Sequence, residues 1–289
     1  IFRRKMKLDR VVQPASMEFQ PGLELTGLLL TGNTLQPGSN LDIWLQFRVQ
    51  KRQHVNYQPT VYLVDAQSEW YAITKDFPFG GSYDSIKWQS GDELEIPMRL
   101  SIPPDLPAGG YQIGLILFDP TLGEGVPLAS SPELLSPDIR LGWLRLGDPP
   151  HEAFDTAVSL EPKLVWQQSL TLDSINVGPA NNGSLPVQLV WQVGQPMTRD
   201  LTTFVHLLDA QGNILTQVDE RPFQGQWPTP IWQANETIFQ PVNLPLPQSV
   251  SLHDVQLRVG LYDEAGRLPL ADGSGDFWQT PVALQTVLP

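Results

Sequence analysis

Residues 61–67, VYLVDAQ, return 144 positions later as residues 205–211, VHLLDAQ (205 − 61 = 144). A chain that repeats itself over this length contains two copies of one domain. The repeat therefore predicts two domains, and it favours recognition or scaffolding over catalysis. The same shift relates two further pairs of stretches: residues 78–79 to 222–223, and residues 88–89 to 232–233.

Apolar and polar residues alternate along several segments of both copies. Residues 41, 43, 45, 47 and 49 are apolar with mainly polar residues between them, and the positions 144 residues later are apolar as well. Residues 94–102 and 238–246 match in the same way, with only Gln240 breaking the apolar face. Period-two alternation between frequent turns is typical of antiparallel strands. We therefore predict an all-β protein with two tandem immunoglobulin-like antiparallel β-sandwich domains related by the internal repeat.

The domain boundaries follow from the repeat and from a stiff polar break, GDPP, at residues 147–150. We predict a basic N-terminal segment at residues 1–16, a first sandwich at residues 17–148 and a second at residues 149–289. The stretch LPAGGY before a predicted strand is common in bacterial immunoglobulin-like and fibronectin-type domains. There the hydroxyl of the residue equivalent to Tyr111 often bonds the backbone at the corner.

The charge distribution argues against nucleic-acid binding. The net charge is −13, but five of the 18 basic residues and one of the 31 acidic residues lie among the first ten, so the rest carries (18 − 5) − (31 − 1) = −17. So acidic a body is repelled by phosphate backbones. The chain contains no cysteine, which excludes disulfides and thiolate metal sites but leaves the compartment open. The sequence contains no run of 18 consecutive apolar residues, so it predicts no membrane span within these residues.

The basic start of the chain carries a prediction of its own. Arg3, Arg4, Lys5 and Lys7 follow two apolar residues, a pattern that often follows a membrane helix. We predict that these four side chains lie at a membrane surface, the alternative being a solvated basic terminus. Basic flanks usually mark the cytoplasmic side, yet long domains are often translocated regardless, so the sequence leaves the sidedness open.

Catalytic patterns are mostly absent from the sequence. The four histidines have no metal-ligand spacing, and there is no Walker loop, dinucleotide fingerprint or nucleophile elbow. Asp65 and Asp209 recur in predicted hairpin turns, and Asp119 and Asp263 recur at the ends of predicted strands. Residues kept in both copies serve the fold, so we expect these carboxylates to cap turns. We predict no catalytic residue and no resident cofactor.

One loop has the composition of a cation site. Asp272, Ser274 and Asp276 alternate with glycines and offer oxygen ligands that calcium accepts. The loop lacks the remaining ligands of an EF-hand. A simple turn is the favoured alternative to a calcium site.

The tryptophans divide into expected core residues and one candidate ligand residue. Trp191 lies on a predicted inward face, while Trp88 and Trp232 recur between the copies, so all three are predicted to pack. Trp227, together with Phe223, lies in a proline-rich loop, and Tyr83 is its equivalent in the first copy. We predict that Trp227 and Phe223 form an apolar platform on which a sugar ring stacks, and that Tyr83 is a ligand-binding residue as well. The alternative is that Trp227 packs onto its own domain.

The second copy resembles a known family. The stretches that carry the resemblance are FVHLLDAQG at residues 204–212, Pro228, Thr229 and Trp232, LRVGLYD at residues 257–263, and RLPL at residues 267–270. They resemble the C-terminal extracytoplasmic β-sandwich regions of bacterial polytopic membrane glycosyltransferases of the mannosyltransferase-like type. Such enzymes transfer sugars from polyprenyl-phosphate donors. Their catalytic acidic residues lie in loops of the membrane part, so the resemblance implies no catalytic residue here.

Three functional hypotheses follow. The first is a non-catalytic, extracytoplasmic module that is associated with a membrane-bound cell-envelope glycosyltransferase and recognises a glycan or a cell-envelope protein. The second is a free-standing surface protein for glycan binding or adhesion. The third is a structural subunit of a surface assembly. The sequence identifies neither the ligand nor the oligomeric state.

Overall fold

A computed structural model describes residues 11–20, 22–135, 137–167, 170–248 and 252–282. Regular structure in these residues consists of β-strands and short 3₁₀ turns, which confirms the predicted all-β class with antiparallel sheets. None of the helical segments within the described ranges is long and apolar enough to cross a membrane. The chain divides into two compact units, Ile1–Asp148 and Pro149–Pro289, at the GDPP stretch.

The first unit is built from strands and two 3₁₀ turns, Pro78–Gly81 and Ser85–Lys87. Its strands are β1 (Val11–Phe19), β2 (Leu23–Leu30), β3 (Thr34–Leu35), β4 (Asn40–Val49), β5 (Gln58–Val64), β6 (Trp70–Lys75), β7 (Glu93–Ser101), β8 (Gly109–Asp119), β9 (Glu124–Gly125) and β10 (Ile139–Leu146).

The second unit carries the equivalent 3₁₀ turns at Pro222–Gly225 and Thr229–Ile231. Its strands are β11 (Val158–Leu160), β12 (Leu164–Trp166), β13 (Leu170–Val177), β14 (Ser184–Val193), β15 (Thr202–Leu208), β16 (Ile214–Glu220), β17 (Thr237–Pro245), β18 (Val255–Asp263), β19 (Gly266–Arg267) and β20 (Phe277–Val282).

Each unit has two sheets with corresponding strand orders. In the first unit the sheets run β1-β2-β4-β7 and β3-β10-β8-β5-β6, and the short β3–β10 pair is parallel. In the second unit they run β11-β13-β14-β17 and β16-β15-β18-β19, with β20 also paired to β18. The 144-residue shift carries β4 to β7 onto β14 to β17, so the sequence repeat is a repeat of strands and register.

The strand order is compatible with the immunoglobulin arrangement. When the edge strand β1 is set aside, β2, β4 and β7 correspond to strands A, B and E of an immunoglobulin-type sandwich. In the opposite sheet β10, β8, β5 and β6 correspond to strands G, F, C and C′. The immunoglobulin-like part of the fold stays a prediction. Alternation specifies which face of a strand is buried, but it does not specify which strands become neighbours.

The core of the first unit lies between its two sheets, as the alternation predicts. Buried and partly exposed residues alternate along β4, and its inward side chains contact those of the opposite sheet. Burial of such apolar side chains contributes about 25 cal/mol per Å². The inward set comprises Leu25, Leu28, Leu41, Ile43, Leu45, Phe47, Ile96, Leu100, Val61, Leu63, Ile113 and Leu115.

The second unit has the same alternation with one polar exception in its core. Gln240 is completely buried, and its Oε1 accepts hydrogen bonds from Trp191 Nε1 at 2.9 Å and from Thr203 Oγ1 at 3.2 Å. Trp191 is also buried, as predicted, and its ring lies 5.6 Å from that of Trp166. The break in the apolar pattern at Gln240 is thus explained by two polar partners that are buried beside it.

The predicted turn caps are present in both units. Asp65 Oδ1 accepts two backbone N–H bonds within its hairpin turn, and so does Asp209 Oδ1, each at 2.8–2.9 Å. Asp119 and Asp263 each accept a bond from the backbone N–H two residues further on. Tyr111 donates its hydroxyl to the Pro107 carbonyl at 2.9 Å, which confirms the expected corner.

Candidate functional site

The 3₁₀ turn at Pro222–Gly225 contains three consecutive residues with left-handed backbone geometry. Residues 223–225 have φ values of 54°, 56° and 85°, and residues 79–81 of the first unit have 54°, 62° and 80°. Left-handed backbone costs a non-glycine residue roughly 1–2 kcal/mol, because Cβ approaches the carbonyl oxygen. Phe223 and Gln224 accept this conformation only because the neighbouring structure holds the turn in place.

Buried hydrogen bonds hold the segment that follows the turn. Thr229 Oγ1 accepts a bond from the Leu201 N–H at 2.9 Å and donates one to the Arg199 carbonyl at 2.6 Å. In the first unit Ser85 makes the equivalent two bonds, both of 2.7 Å. A buried hydroxyl with both bonds satisfied ties this loop to the start of the neighbouring strand. The recurrence of Ser85 and Thr229 therefore has a structural cause.

In each unit a buried tryptophan forms a hydrogen bond across this loop. Trp232 Nε1 donates a hydrogen bond to the Trp227 carbonyl at 3.0 Å, and Trp88 Nε1 donates to the Tyr83 carbonyl at 3.1 Å. Trp88 and Trp232 are at most 1% exposed. Their predicted packing role is confirmed. These bonds hold the backbone of the loop in place, and neighbouring side chains such as Gln224 and Gln226 are exposed to solvent.

An open cavity of about 490 Å³ lies between β16, β17 and the turn at Pro222–Gly225. β16 and β17 are end strands of different sheets, so the cavity, which we call the edge cleft, lies at the side of the sandwich. Cavities of this size are large enough for a small-molecule ligand. The residues that line the edge cleft are Val218, Glu220, Phe223, Gln224, Gln226, Pro241, Asn243 and Pro245.

Glu220 is the single acidic side chain that lines the edge cleft. Its side chain is half-buried, and burial raises the pKa of its carboxyl group above the ordinary value. Within the described ranges no hydrogen bond or ion pair stabilises its carboxylate. A desolvated carboxylate without a partner favours ligands that bring hydrogen-bond donors.

The remaining polar groups of the edge cleft are primary amides. Gln224, Gln226 and Asn243 are all exposed, and each offers an acceptor oxygen and a donor NH₂ group. Phe223 adds a partly exposed aromatic ring beside them. The edge cleft can therefore bind a neutral ligand that carries both hydroxyl groups and an apolar face.

The three aromatics that were predicted to bind a ligand differ in their surroundings. Phe223 lines the edge cleft, whereas Trp227 is 1% exposed and Tyr83 belongs to the first unit. A ring buried as deeply as Trp227 has no face on which a sugar could stack, so Trp227 does not act as a platform in this structure. Tyr83 is 36% exposed, and its hydroxyl donates to Asp92 Oδ2 at 3.3 Å.

The aspartates of the predicted calcium loop have other partners. Asp272 Oδ1 accepts bonds from the Ser274 N–H at 2.9 Å and from the Ser274 hydroxyl at 2.7 Å. Asp276 pairs with Arg267 at 3.3 Å. In the part of the chain that the structure describes, no group of three or more acidic or imidazole side chains could hold a metal ion. The loop is a turn that Asp272 caps.

The remaining predicted site residues are Arg3, Arg4, Lys5 and Lys7. They lie outside the described residues, so their contact with a membrane surface stays a prediction.

No protein-family model matches the chain, and no curated protein matches it significantly. The likeness of residues 204–270 to glycosyltransferase-associated sandwiches therefore stays a prediction from the sequence.

The sequence analysis missed Glu220, Gln224, Gln226 and Asn243. A signal for three of them was present in the repeat, because the equivalent residues in the first copy are of another chemical kind. Gln224, Gln226 and Asn243 replace Gly80, Ser82 and Arg99, respectively. Positions where the two copies differ are candidates for function, since positions that they share serve the fold.

Proposed function

We propose that this chain is a non-catalytic, extracytoplasmic recognition module that works with a membrane-bound cell-envelope glycosyltransferase. In this proposal the second unit binds a glycan in the edge cleft. The observation that carries it is the unpartnered Glu220 carboxylate beside three amides and the Phe223 ring.

The chemistry of the edge cleft suits a sugar. Sugar hydroxyls both donate and accept hydrogen bonds, and amide side chains offer both functions. Glu220 accepts bonds from two neighbouring hydroxyls, and bonds to a charged acceptor are stronger than neutral ones. The apolar C–H face of a sugar ring packs against Phe223 or against Pro241 and Pro245, which removes apolar surface from water.

The first unit supports the assignment by contrast. Asp76 is equivalent to Glu220 (76 + 144 = 220), but it is exposed and its Oδ1 accepts a bond from the backbone N–H of Phe77 at 2.8 Å. Arg99 is equivalent to Asn243 and pairs with Asp42 at 2.5 Å. The first unit therefore uses these positions for its own ion pairs and turns, and we assign glycan recognition to the second unit.

Glycan binding is tested on the full chain with an array of bacterial cell-envelope oligosaccharides, followed by calorimetry on the best ligand. We expect Glu220→Gln to weaken binding by about tenfold or more, because a hydrogen bond to a charged group contributes about 1.5–3 kcal/mol. Asp76→Asn is the matched control in the first unit and leaves the affinity unchanged. Absence of glycan binding, or equal binding by Glu220→Gln, contradicts the proposal.

Glu220→Gln also provides a stability test. Because burial raises the pKa of Glu220, the folded state disfavours the ionised carboxyl group. At pH 7 the ionised group therefore lowers the free energy of unfolding. This loss diminishes as the pH falls through the raised pKa. The side chain is partly exposed, so we expect a gain of at most about 0.5 kcal/mol in the free energy of unfolding for Glu220→Gln. A variant that is slightly more stable and binds less well is the signature of a ligand residue.

Attachment to a membrane rests on the basic start and on the resemblance of residues 204–270. Arg3, Arg4, Lys5 and Lys7 each contribute roughly 1 kcal/mol of attraction to anionic lipid when they lie near its surface. Their replacement by glutamine is expected to abolish sedimentation of the chain with anionic liposomes. Unchanged sedimentation contradicts this part of the proposal and leaves glycan binding to be judged separately.

A further inference from the structure

A second open cavity, of about 240 Å³, lies on the outward face of the sheet that contains β15, β16 and β18. Asp219 points into it, whereas its neighbours Val218 and Glu220 point into the edge cleft, because successive side chains of a strand alternate between faces. We call this second cavity the sheet cavity. It is lined by Phe204, His206, Asp219, Tyr262, Gly266 and Arg267.

Aromatic rings form the floor of the sheet cavity. Phe204 lies across Gly260, where a Cβ atom would approach Phe204 Cζ to 2.2 Å, so only glycine leaves room for the ring. The Phe204 ring centre is 5.0 Å from that of His206 and 6.3 Å from that of Tyr262. Phe204 and His206 are only 1% and 7% exposed, so the ring that a ligand can contact is that of Tyr262, which is partly exposed. The face of such a ring is electron-rich and attracts ammonium groups.

The lining of the sheet cavity contains one acidic side chain, Asp219, and one basic side chain, Arg267. Asp219 Oδ1 lies 3.5 Å from His206 Nε2, and burial together with the nearby Asp219 carboxylate raises the pKa of the Tyr262 hydroxyl. Burial lowers the pKa of His206, so His206 is neutral at pH 7 and does not neutralise Asp219. Arg267 lies with Cζ 4.9 Å from the Phe204 ring centre and is held by Asp276 at 3.3 Å.

In the first unit a lysine side chain occupies the corresponding place. Lys75 is equivalent to Asp219 (75 + 144 = 219), and Phe118 is equivalent to Tyr262 (118 + 144 = 262). Lys75 Nζ lies 3.8 Å from the centre of the Phe118 ring, so the chain supplies its own ammonium group. In the second unit that ammonium group is missing and a carboxylate stands in its place.

We propose that the sheet cavity binds a small zwitterion. Its ammonium group lies on the Tyr262 ring beside Asp219, where Lys75 Nζ lies in the first unit, and its anionic group pairs with Arg267. Choline- and ethanolamine-type phosphate headgroups and free betaines share this chemistry. At about 240 Å³ the sheet cavity has about half the volume of the edge cleft, which suits a small ligand rather than a polymer.

The test is a titration of the full chain, followed by NMR or calorimetry, with phosphocholine and glycine betaine as zwitterions. Choline alone and inorganic phosphate alone are the single-charge probes. We expect the zwitterions to bind at least about tenfold more tightly than either single-charge probe, since both Asp219 and Arg267 then have partners. Phosphatidylcholine vesicles that compete with free phosphocholine identify a lipid headgroup as the source, and failure to compete identifies a free ligand.

The decisive variant is Asp219→Lys, which introduces the side chain of the first unit. We expect it to fold, because Lys75 and Phe118 already form this pair, and to lose zwitterion binding because its own ammonium group occupies the site. Asp219→Asn keeps the size of the side chain and is expected to weaken binding about tenfold. Lys75→Ala is the control and leaves zwitterion binding unchanged, while circular dichroism verifies folding.

Three outcomes overturn the proposal. They are no zwitterion binding by the wild-type chain, choline binding as tightly as phosphocholine, and undiminished binding by a folded Asp219→Lys or Asp219→Asn. Zwitterion and glycan binding are measured with different ligands and different variants, so either proposal can fail while the other stands.

Discussion

Positions 83 and 227 are equivalent in the two units, yet Tyr83 is 36% exposed and Trp227 is 1% exposed. The backbone around them is the same. Each carbonyl accepts a bond from a buried tryptophan, and each follows a turn with three left-handed residues. The two units therefore share a framework of backbone bonds and differ in the side chains that it carries.

The same contrast holds for the surfaces. The turn of the first unit carries small residues at positions 80 and 82, while that of the second carries Gln224 and Gln226. On the outward sheet face, Lys75 covers an aromatic ring in the first unit, while Asp219 leaves a cavity in the second. A duplicated fold thus frees one copy to change its surface, since the shared bonds already secure the framework.

The largest expected difference between the units concerns positions 83 and 227. We expect Trp227→Ala to lower the free energy of unfolding by about 3–5 kcal/mol, as for other buried aromatics. Tyr83→Ala is expected to cost about 1 kcal/mol, because the ring is partly exposed. Denaturant unfolding of the full chain measures both effects. Equal costs would contradict the difference in burial.

Gln240 tests the polar exception in the core of the second unit. Gln240→Ile introduces the residue of the first unit, Ile96, but leaves the buried Trp191 N–H without its acceptor. We expect a loss of about 1–3 kcal/mol in the free energy of unfolding. Trp191→Phe, the equivalent of Phe47, leaves a cavity but removes the unpaired donor, so we expect the double variant to be more stable than the sum of the two single losses predicts. If the double variant is less stable than the sum of the single ones, the polar bonds are not the cause.

The smallest expected effect concerns the pH response of the second unit. His206 takes the place of Tyr62, and burial lowers its pKa below the ordinary value of 6.5. Between this lowered pKa and pH 6.5 the unfolded chain binds more protons than the folded one. Stability is therefore expected to fall as the pH falls from about 6.5 through the lowered pKa.

Thermal unfolding between pH 7.5 and pH 5 measures this response. In His206→Gln we expect the stability of the second unit to depend less on pH. The associated change in the free energy of unfolding is expected to be smaller than that caused by Trp227→Ala or Gln240→Ile. An unchanged pH profile would show that groups other than His206 control it.

Much of the fold could be predicted from residue patterns. The alternation along residues 41–49 predicts the inward face of β4, and the recurrence of Asp65 as Asp209 predicts a capped turn in each unit. These features are local, because a strand face and a turn depend on neighbouring residues alone. The strand order was not predictable in this way, since pairing joins residues that are far apart in the sequence.

The candidate sites depended on tertiary structure to a greater degree. Phe223 was predicted as a ligand residue and does line the edge cleft, whereas Trp227, four residues further on, is buried. Loop composition cannot distinguish the two, because burial depends on whether another element covers the ring. Glu220 and Asn243 lie 23 residues apart on strands of different sheets, and only folding brings them to one cavity.

The amino-acid sequence by itself determined the all-β class, the duplication and the buried face of each long strand, because these follow from local periodicity and from recurrence. Tertiary structure alone decided which strands pair, which aromatics are covered, and that Asp219 and Arg267 line one cavity. The physical reason is that burial and electrostatic partnership are properties of neighbours in space. The repeat indicates where the two copies differ, and the packing around each difference determines what it can bind.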